Sequence, residues 1–158
     1  MSEISVHRAG LSELQPAYDL VCEYYEAVGV MVRDNKEAFE QEYFTDGTGV
    51  WIASIHQAAS IHQEIAGCIA LRALPHLEKS AEIKRLYVRP AYRKQGIAEA
   101  LLEALEEYAT QHSYSTLYLD TKDDLSVALR FYQSRGYQPC ERYNDNPQAT
   151  IFLHKQLR

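Results

Sequence analysis

Cysteine is scarce in this 158-residue chain, and its placement excludes two common ways of holding a small protein together. Cys22, Cys68 and Cys140 are odd in number and lie far apart along the sequence. Because a disulfide framework needs paired cysteines, we expect free thiols, as in a reducing cytoplasm. No Cys-x-x-Cys pair is present and the six histidines do not cluster, so we also expect no metal site.

Long apolar runs are lacking as well. No stretch approaches the roughly 20 apolar residues that a membrane-spanning helix requires. The opening residues, Met-Ser-Glu-Ile-Ser-Val-His-Arg, have neither the basic head nor the apolar segment of a secretory signal. We therefore expect a cytoplasmic protein that does not enter a membrane.

Two nucleotide-binding motifs are missing from the sequence. Without Gly-x-x-x-x-Gly-Lys-Ser/Thr there is no indication of a magnesium-triphosphate site, and without Gly-x-Gly-x-x-Gly a nicotinamide cofactor is not expected. The net charge is −6, from 16 basic and 22 acidic residues. That sign disfavours general binding to nucleic acid, so we expect no nucleic-acid partner.

The pattern of apolar residues predicts one mixed domain over residues 1–158. A hydrophobic content of 46% is ordinary for a globular protein, and the chain has no repeat or linker. Periodicity predicts strands at 4–7, 50–56, 64–74, 81–88, 115–119 and 150–154. It predicts helices at 11–28, 36–43 and 96–112, with a last one that ends at Gly136. This order favours an α/β or α+β fold.

The segment Arg93–Ala98, Arg-Lys-Gln-Gly-Ile-Ala, carries the clearest functional signal. It follows the predicted strand at 81–88 and begins an amphipathic helix. The first N–H groups of a helix have no intrahelical partner, and the helix dipole makes them an anion site. Five of the eleven residues from Lys84 to Lys94 are Lys or Arg, which adds positive charge there. The segment therefore predicts a pyrophosphate site.

The same segment resembles a motif of the GNAT superfamily of acyl-CoA-dependent N-acetyltransferases. Arg93, Gly96 and Ala98 fill the three defined positions of that family's pattern, Arg/Gln-x-x-Gly-x-Gly/Ala. Residues 82–88 resemble the family's central strand, and residues 128–137 resemble its second signature, an Ala-x-x-x-Tyr helix that ends in Gly-aromatic. The resemblance implies a mixed, mostly antiparallel sheet flanked by helices, and acetyl-CoA as the acyl donor.

The resemblance also implies which residues hold the donor. The backbone of the loop would bind the pyrophosphate, and the end of the strand would line the pantetheine arm. These residues are Arg93, Lys94, Gln95, Gly96, Ile97 and Ala98 for the loop, and Leu86, Tyr87 and Val88 for the strand. A β-bulge in that strand would open a slot beside it. One departure is Leu125, which stands where many members of the family carry an asparagine.

Two residues are predicted to handle protons when an amine attacks the thioester. Glu82 occupies the position of the family's catalytic glutamate and is the candidate base; the alternative is a strand-end carboxylate paired to Lys84 or Arg85. Tyr132 occupies the family's tyrosine position and is the candidate acid for the departing thiolate. The alternative for Tyr132 is a plain core residue on the inward stripe of its helix.

The predicted activity is transfer of an acetyl group to a primary amine by direct attack. No Cys-His or Ser-His-Asp constellation indicates a covalent acyl-enzyme. The expected acceptor is a small-molecule amine or an amino-acid-like molecule. A protein or peptide N-acetyltransferase and a non-catalytic acyl-CoA-binding module remain the alternatives, and the oligomeric state is open, a homodimer included.

Two further segments are candidates for the acceptor side. The residues predicted to wall an acceptor pocket are Tyr24, Tyr25, Met31 and Tyr43, with core packing as the alternative. The polar stretch Tyr143–Pro147 is either a plain hairpin turn or a segment that closes the acceptor site.

Overall fold

The computed structural model describes residues 2–29, 35–57, 63–122 and 126–157. The strands are β1 (Ser2–Arg8), β2 (Gly49–Gln57), β3 (Gln63–Ala73), β4 (Ser80–Val88), β5 (Thr116–Thr121), β6 (Gln138–Pro139) and β7 (Ile151–Gln156). The helices are α1 (Leu14–Val28), α2 (Lys36–Tyr43), α3 (Ile97–Gln111) and α4 (Ser126–Ser134). All of these except the two-residue strand β6 were expected from the sequence pattern.

The strands form one seven-stranded sheet in the order β1-β2-β3-β4-β5-β7-β6. Every neighbouring pair is antiparallel except β4 and β5, which run parallel. The prediction of a mixed, mostly antiparallel sheet flanked by helices is therefore confirmed. In the described part of the chain, no helix combines the length and the apolar character needed to cross a bilayer.

The helices cover both faces of the sheet, because alternate residues of a strand point to opposite sides. Helix α3 buries a stripe that includes Ile97, Leu101 and Leu105, and it packs with Trp51 of β2 in one core. Helices α1 and α2 pack with the neighbouring Val50 in a second core. The central strands are thus apolar on both faces.

A β-bulge interrupts β4 near its end. Cys68 of β3 pairs with Tyr87, whereas Ala70 pairs with Lys84, so two residues of β4 lie opposite the single residue Ile69. The two are Arg85 and Leu86, and Arg85 has a φ of 60°. An extra residue of this kind bends a strand and increases its local twist.

The bulge separates β4 from β5. The two strands pair only at Ser80↔Thr116, Ala81↔Leu117 and Glu82↔Tyr118, although β4 continues to Val88 and β5 to Thr121. Beyond Glu82 a gap opens between them. The bulge and the gap together match the arrangement that the family resemblance implied for this strand.

We expect Gly67→Ala to destabilise this part of the sheet. Gly67 pairs with Val88, and a Cβ atom on Gly67 would lie 2.5 Å from the carbonyl oxygen of Tyr87. Because rigid backbone must move to relieve that contact, the free energy of unfolding should fall by about 2 kcal/mol in urea titrations. Gly10→Ala is the control, since a Cβ on Gly10 meets no atom within 4 Å. Equal losses in the two variants would contradict the prediction.

Candidate active site

A cleft of about 740 Å³ connects the features that the sequence singled out. Its walls are formed by β4 from Ile83 to Val88, by the loop and first turn of α3, by the end of β5 and by α4. The cleft therefore includes the gap between β4 and β5, where the two strands no longer pair.

Most of the residues predicted to hold the donor line this cleft. They are Leu86, Tyr87, Val88, Arg93, Lys94, Gly96, Ile97 and Ala98. The side chain of Gln95 is exposed and does not line the cleft, which leaves only its backbone for the predicted role.

The loop before α3 has the geometry of an anion site. Gly96 is the N-cap of α3 and has a φ of 83°, a left-handed conformation that glycine adopts without strain. Arg93 Nε donates a hydrogen bond to the carbonyl oxygen of Val88 at 2.9 Å, which fixes the loop to the end of β4. The unpaired N–H groups of the first turn and the helix dipole then favour a phosphate at this point.

Tyr132 lies on the cleft wall and is buried. Its ring contacts that of Tyr137, with 5.5 Å between the centroids, and that of Phe131, with 5.4 Å. Burial raises the pKa of Tyr132 well above its usual range, and the neighbouring Tyr24 raises it further. The phenol is therefore protonated at neutral pH, as a proton donor must be.

Glu82 is fully buried and is not among the residues that line the cleft. Its carboxylate accepts hydrogen bonds from Arg72 Nε at 2.7 Å, from the hydroxyl of Tyr143 at 2.6 Å and from Asn144 Nδ2 at 3.0 Å. Lys84 Nζ lies 3.8 Å away. The pairing with Lys84 that the alternative interpretation of Glu82 described is present, but it lies in the interior and is joined by partners that the sequence did not indicate.

Asp120 is a carboxylate on the cleft wall beside the gap, and the sequence did not single it out. It lies 3.4 Å from Lys84 Nζ and accepts hydrogen bonds from Asn144 Nδ2 at 2.6 Å and Asn146 Nδ2 at 3.3 Å. Burial raises the pKa of Asp120, but Lys84 and the two amides lower it more, so the pKa is below its usual range. The sequence contained a signal for this residue, because Asp120 directly follows the predicted strand 115–119. In the structure that strand lies beside the central strand β4.

The stretch Tyr143–Pro147 lies over these two carboxylates. Tyr143 and Asn144 bond to Glu82, and Asn144 and Asn146 bond to Asp120, as described above. Arg142 holds the turn by donating to the carbonyl oxygen of Asn146 at 3.1 Å. The stretch is therefore more than a link between strands, because it supplies polar groups to the site.

The residues predicted to wall the acceptor pocket do not all lie at the cleft. Tyr24 and Tyr25 line the cleft, whereas Tyr43 is buried in the core with α1 and α2. Met31 and Leu125 lie outside the described residues. Among the residues that the structure describes, no three His, Cys, Asp or Glu side chains form a group that could hold a metal ion.

The comparison with known families settles what kind of fold carries this cleft. Residues 14–137 match the model of the acetyltransferase (GNAT) family. The chain belongs to this family. The family uses acetyl-CoA as its acyl donor, and the cleft is lined by most of the residues that the resemblance implied for that donor.

Individual relatives give a consistent picture. The chain is 36% identical over 86 residues to an uncharacterized N-acetyltransferase of Schizosaccharomyces pombe, which is 54% of this chain and 52% of that protein. It is 28% identical over 136 residues to an amino-acid acetyltransferase of Pseudomonas aeruginosa, which is 85% of this chain and 27% of that protein. The chain thus spans about half or less of the length of these two relatives.

A solved structure shows the same fold over the whole chain. A GNAT-family acetyltransferase from Staphylococcus aureus superposes with a TM-score of 0.81 at 20% sequence identity. The match covers 99% of this chain and 100% of that one.

We expect Gly96→Ala to weaken coenzyme A binding, because it strains the N-cap and adds a methyl group where a phosphate would approach. Gly136→Ala is the matched control, since Gly136 also has a positive φ of 93° but does not line the cleft. Each change should cost about 1 kcal/mol of stability. Coenzyme A at about 100 times its Kd stabilises a binding protein by roughly 2.7 kcal/mol. Thermal unfolding should show this gain in the wild type and Gly136→Ala, and lose it in Gly96→Ala.

Proposed function

We propose that this protein is an N-acetyltransferase that moves an acetyl group from acetyl-CoA to the primary amine of a small, amino-acid-like molecule. One observation carries the proposal: a single cleft joins the N-terminus of α3, the gap between β4 and β5, and the hydroxyl-bearing Tyr132. Family membership supports the donor. The free cysteines, Cys22, Cys68 and Cys140, fit the cytoplasm as the place of action.

The gap supplies a binding surface for the donor's pantetheine arm. Beyond Glu82, the side of β4 that faced β5 has lost its strand partner, so its N–H and C=O groups need other ones. The amides of a pantetheine arm along Leu86–Val88 would provide them, as another strand would. The pyrophosphate would then fall at Arg93–Ala98, where the N-terminus of α3 favours negative charge.

Two side-chain roles follow from the site. Acetyl-CoA supplies an activated acetyl thioester, which an amine attacks directly. Tyr132 would give its proton to the thiolate sulfur that leaves, and the amine would lose a proton to a carboxylate. Glu82 is the carboxylate that the sequence predicts for this role. Glu82 is buried among its hydrogen-bond partners and does not line the cleft. A proton from the amine would therefore reach Glu82 through the polar groups around Asp120.

The acceptor side favours a small substrate. The stretch Tyr143–Pro147 forms hydrogen bonds with Glu82 and Asp120. In that position it would close one side of the site, where a protein substrate would need an open groove. The similarity to an amino-acid acetyltransferase of Pseudomonas aeruginosa supports the same class of acceptor.

The test of the proposed function is thiol release from acetyl-CoA across amines, amino acids, polyamines and peptides. We expect release with a small amine, and Tyr132→Phe should reduce turnover about 100-fold, the usual scale of a lost general acid. Tyr137→Phe is the control, because Tyr137 belongs to the same aromatic cluster but donates its hydroxyl to Glu106 at 2.7 Å.

Each other outcome of this assay supports an alternative. Release with peptides only would favour a protein N-acetyltransferase. Thermal stabilisation by coenzyme A with no release from any amine would favour a non-catalytic binding module. Full turnover in Tyr132→Phe would show that its hydroxyl is dispensable.

The role of Glu82 has its own test. If Glu82 is the base, Glu82→Gln should lower turnover about 100-fold with little change in coenzyme A binding. Glu42→Gln is the control, because Glu42 is the second carboxylate bonded to Arg72. The side chain of Glu42 is partly exposed, whereas that of Glu82 is fully buried. Turnover equal to the wild type in Glu82→Gln would exclude the role, and equal losses in both variants would assign the effect to the position of Arg72.

A further inference from the structure

Two opposite charges face the cleft from the two strands that the gap separates. Arg85 belongs to the bulge of β4, and Asp120 lies near the end of β5. Both line the cleft. The strands do not pair at this level, so the two residues lie on opposite sides of the gap.

Arg85 is held in an uncommon conformation. Its φ of 60° lies in the left-handed region, which disfavours a residue with a long side chain and persists only when the surroundings enforce it. Its guanidinium lies over the ring of Tyr25, 4.9 Å from the centroid. A guanidinium is planar, and the N–H groups along its edge have the geometry that binds a carboxylate through two parallel hydrogen bonds.

Asp120 presents a fixed negative charge. Lys84 and the amides of Asn144 and Asn146 hold it in place and keep it ionised. An ionised carboxylate accepts hydrogen bonds from an ammonium group and from a neutral amine alike. It can therefore orient an amino group before and after that group loses its proton.

Both charges act on the same side chain, Tyr24. Burial raises the pKa of Tyr24, while the charge of Arg85 lowers it and that of Asp120 raises it. Tyr24 in turn raises the pKa of the buried Tyr132. Tyr24 and Tyr132 line the same cleft as the two charges.

We propose that the acceptor is a zwitterion, an α-amino acid or a similarly short amino carboxylate. Arg85 binds its carboxylate and Asp120 binds its amino group. This inference rests on the proposed function and adds the two residues that select the acceptor. A guanidinium–carboxylate pair is bidentate and charge-assisted, so it fixes orientation as well as affinity. The amino group is then held at the gap, next to the cleft wall that carries Tyr132.

The experiment compares an amino acid with its own carboxamide, in which the carboxylate charge is removed and the amine kept. The readout is kcat/KM for thiol release, corrected for the fraction of neutral amine at the assay pH. We expect the wild type to favour the amino acid by about 10- to 100-fold, the range for a hydrogen-bonded charged group. Arg85→Gln should bring that ratio close to one, and Arg85→Lys should keep part of it.

Two further variants complete the design. Arg130→Gln removes the same charge from an exposed position of α4 outside the cleft, so the ratio should stay at the wild-type value. Asp120→Asn should raise KM for the amino acid and the carboxamide together, because both carry the amine. Thermal stabilisation by coenzyme A verifies that each variant is folded and binds the donor.

The outcomes separate this inference from the function on which it rests. If no amine releases thiol from acetyl-CoA, the proposed function fails. If amines do release thiol but the wild-type ratio is near one, or the ratio persists in Arg85→Gln, the zwitterion site is wrong and the acetyltransferase remains.

Discussion

Two residues of β4 share the space opposite Ile69, and the strand turns away from β5 as a result. The rest of the site depends on that constraint. Without the bulge, the parallel ladder that starts at Ser80 would continue past Glu82, and the β4 backbone would be fully paired. Gly67 makes the arrangement possible, because only a residue without a side chain tolerates the carbonyl of Tyr87 so close.

The second requirement is that the charge of the buried Glu82 carboxylate be compensated. A carboxylate with the burial of Glu82 carries an effective desolvation penalty of several kcal/mol unless it is paired and hydrogen-bonded. Arg72 of the neighbouring strand β3 and Lys84 of β4 itself supply charge, and Tyr143 and Asn144 supply hydrogen bonds from a distant turn. The turn is thus attached to the sheet through its polar groups, which ties the shape of the proposed acceptor side to the two buried carboxylates.

How far the sequence predicted the site depends on how local each part is. The α3 loop and Tyr132 were found because each motif is contiguous and carries its own helix boundary. The sequence did not predict the hydrogen bonds of Asn144, because they join positions that are far apart along the chain. Asn144 lies 24 residues from Asp120 and 62 residues from Glu82. The same limit explains why the hydrogen bonds that hold Glu82 in the interior were not predicted, although the strand pattern and fold were predicted correctly.

The two halves of the cleft have different origins in the chain. The proposed donor half comes from one stretch, residues 86–98, together with α4, whereas the proposed acceptor half is assembled from β4, β5 and the turn before β7. In the described part of the chain, the turn forms hydrogen bonds with Glu82 and Asp120 and none with the α3 loop. Substrate preference can therefore diversify through changes in the turn while the machinery for the shared acyl donor is inherited intact.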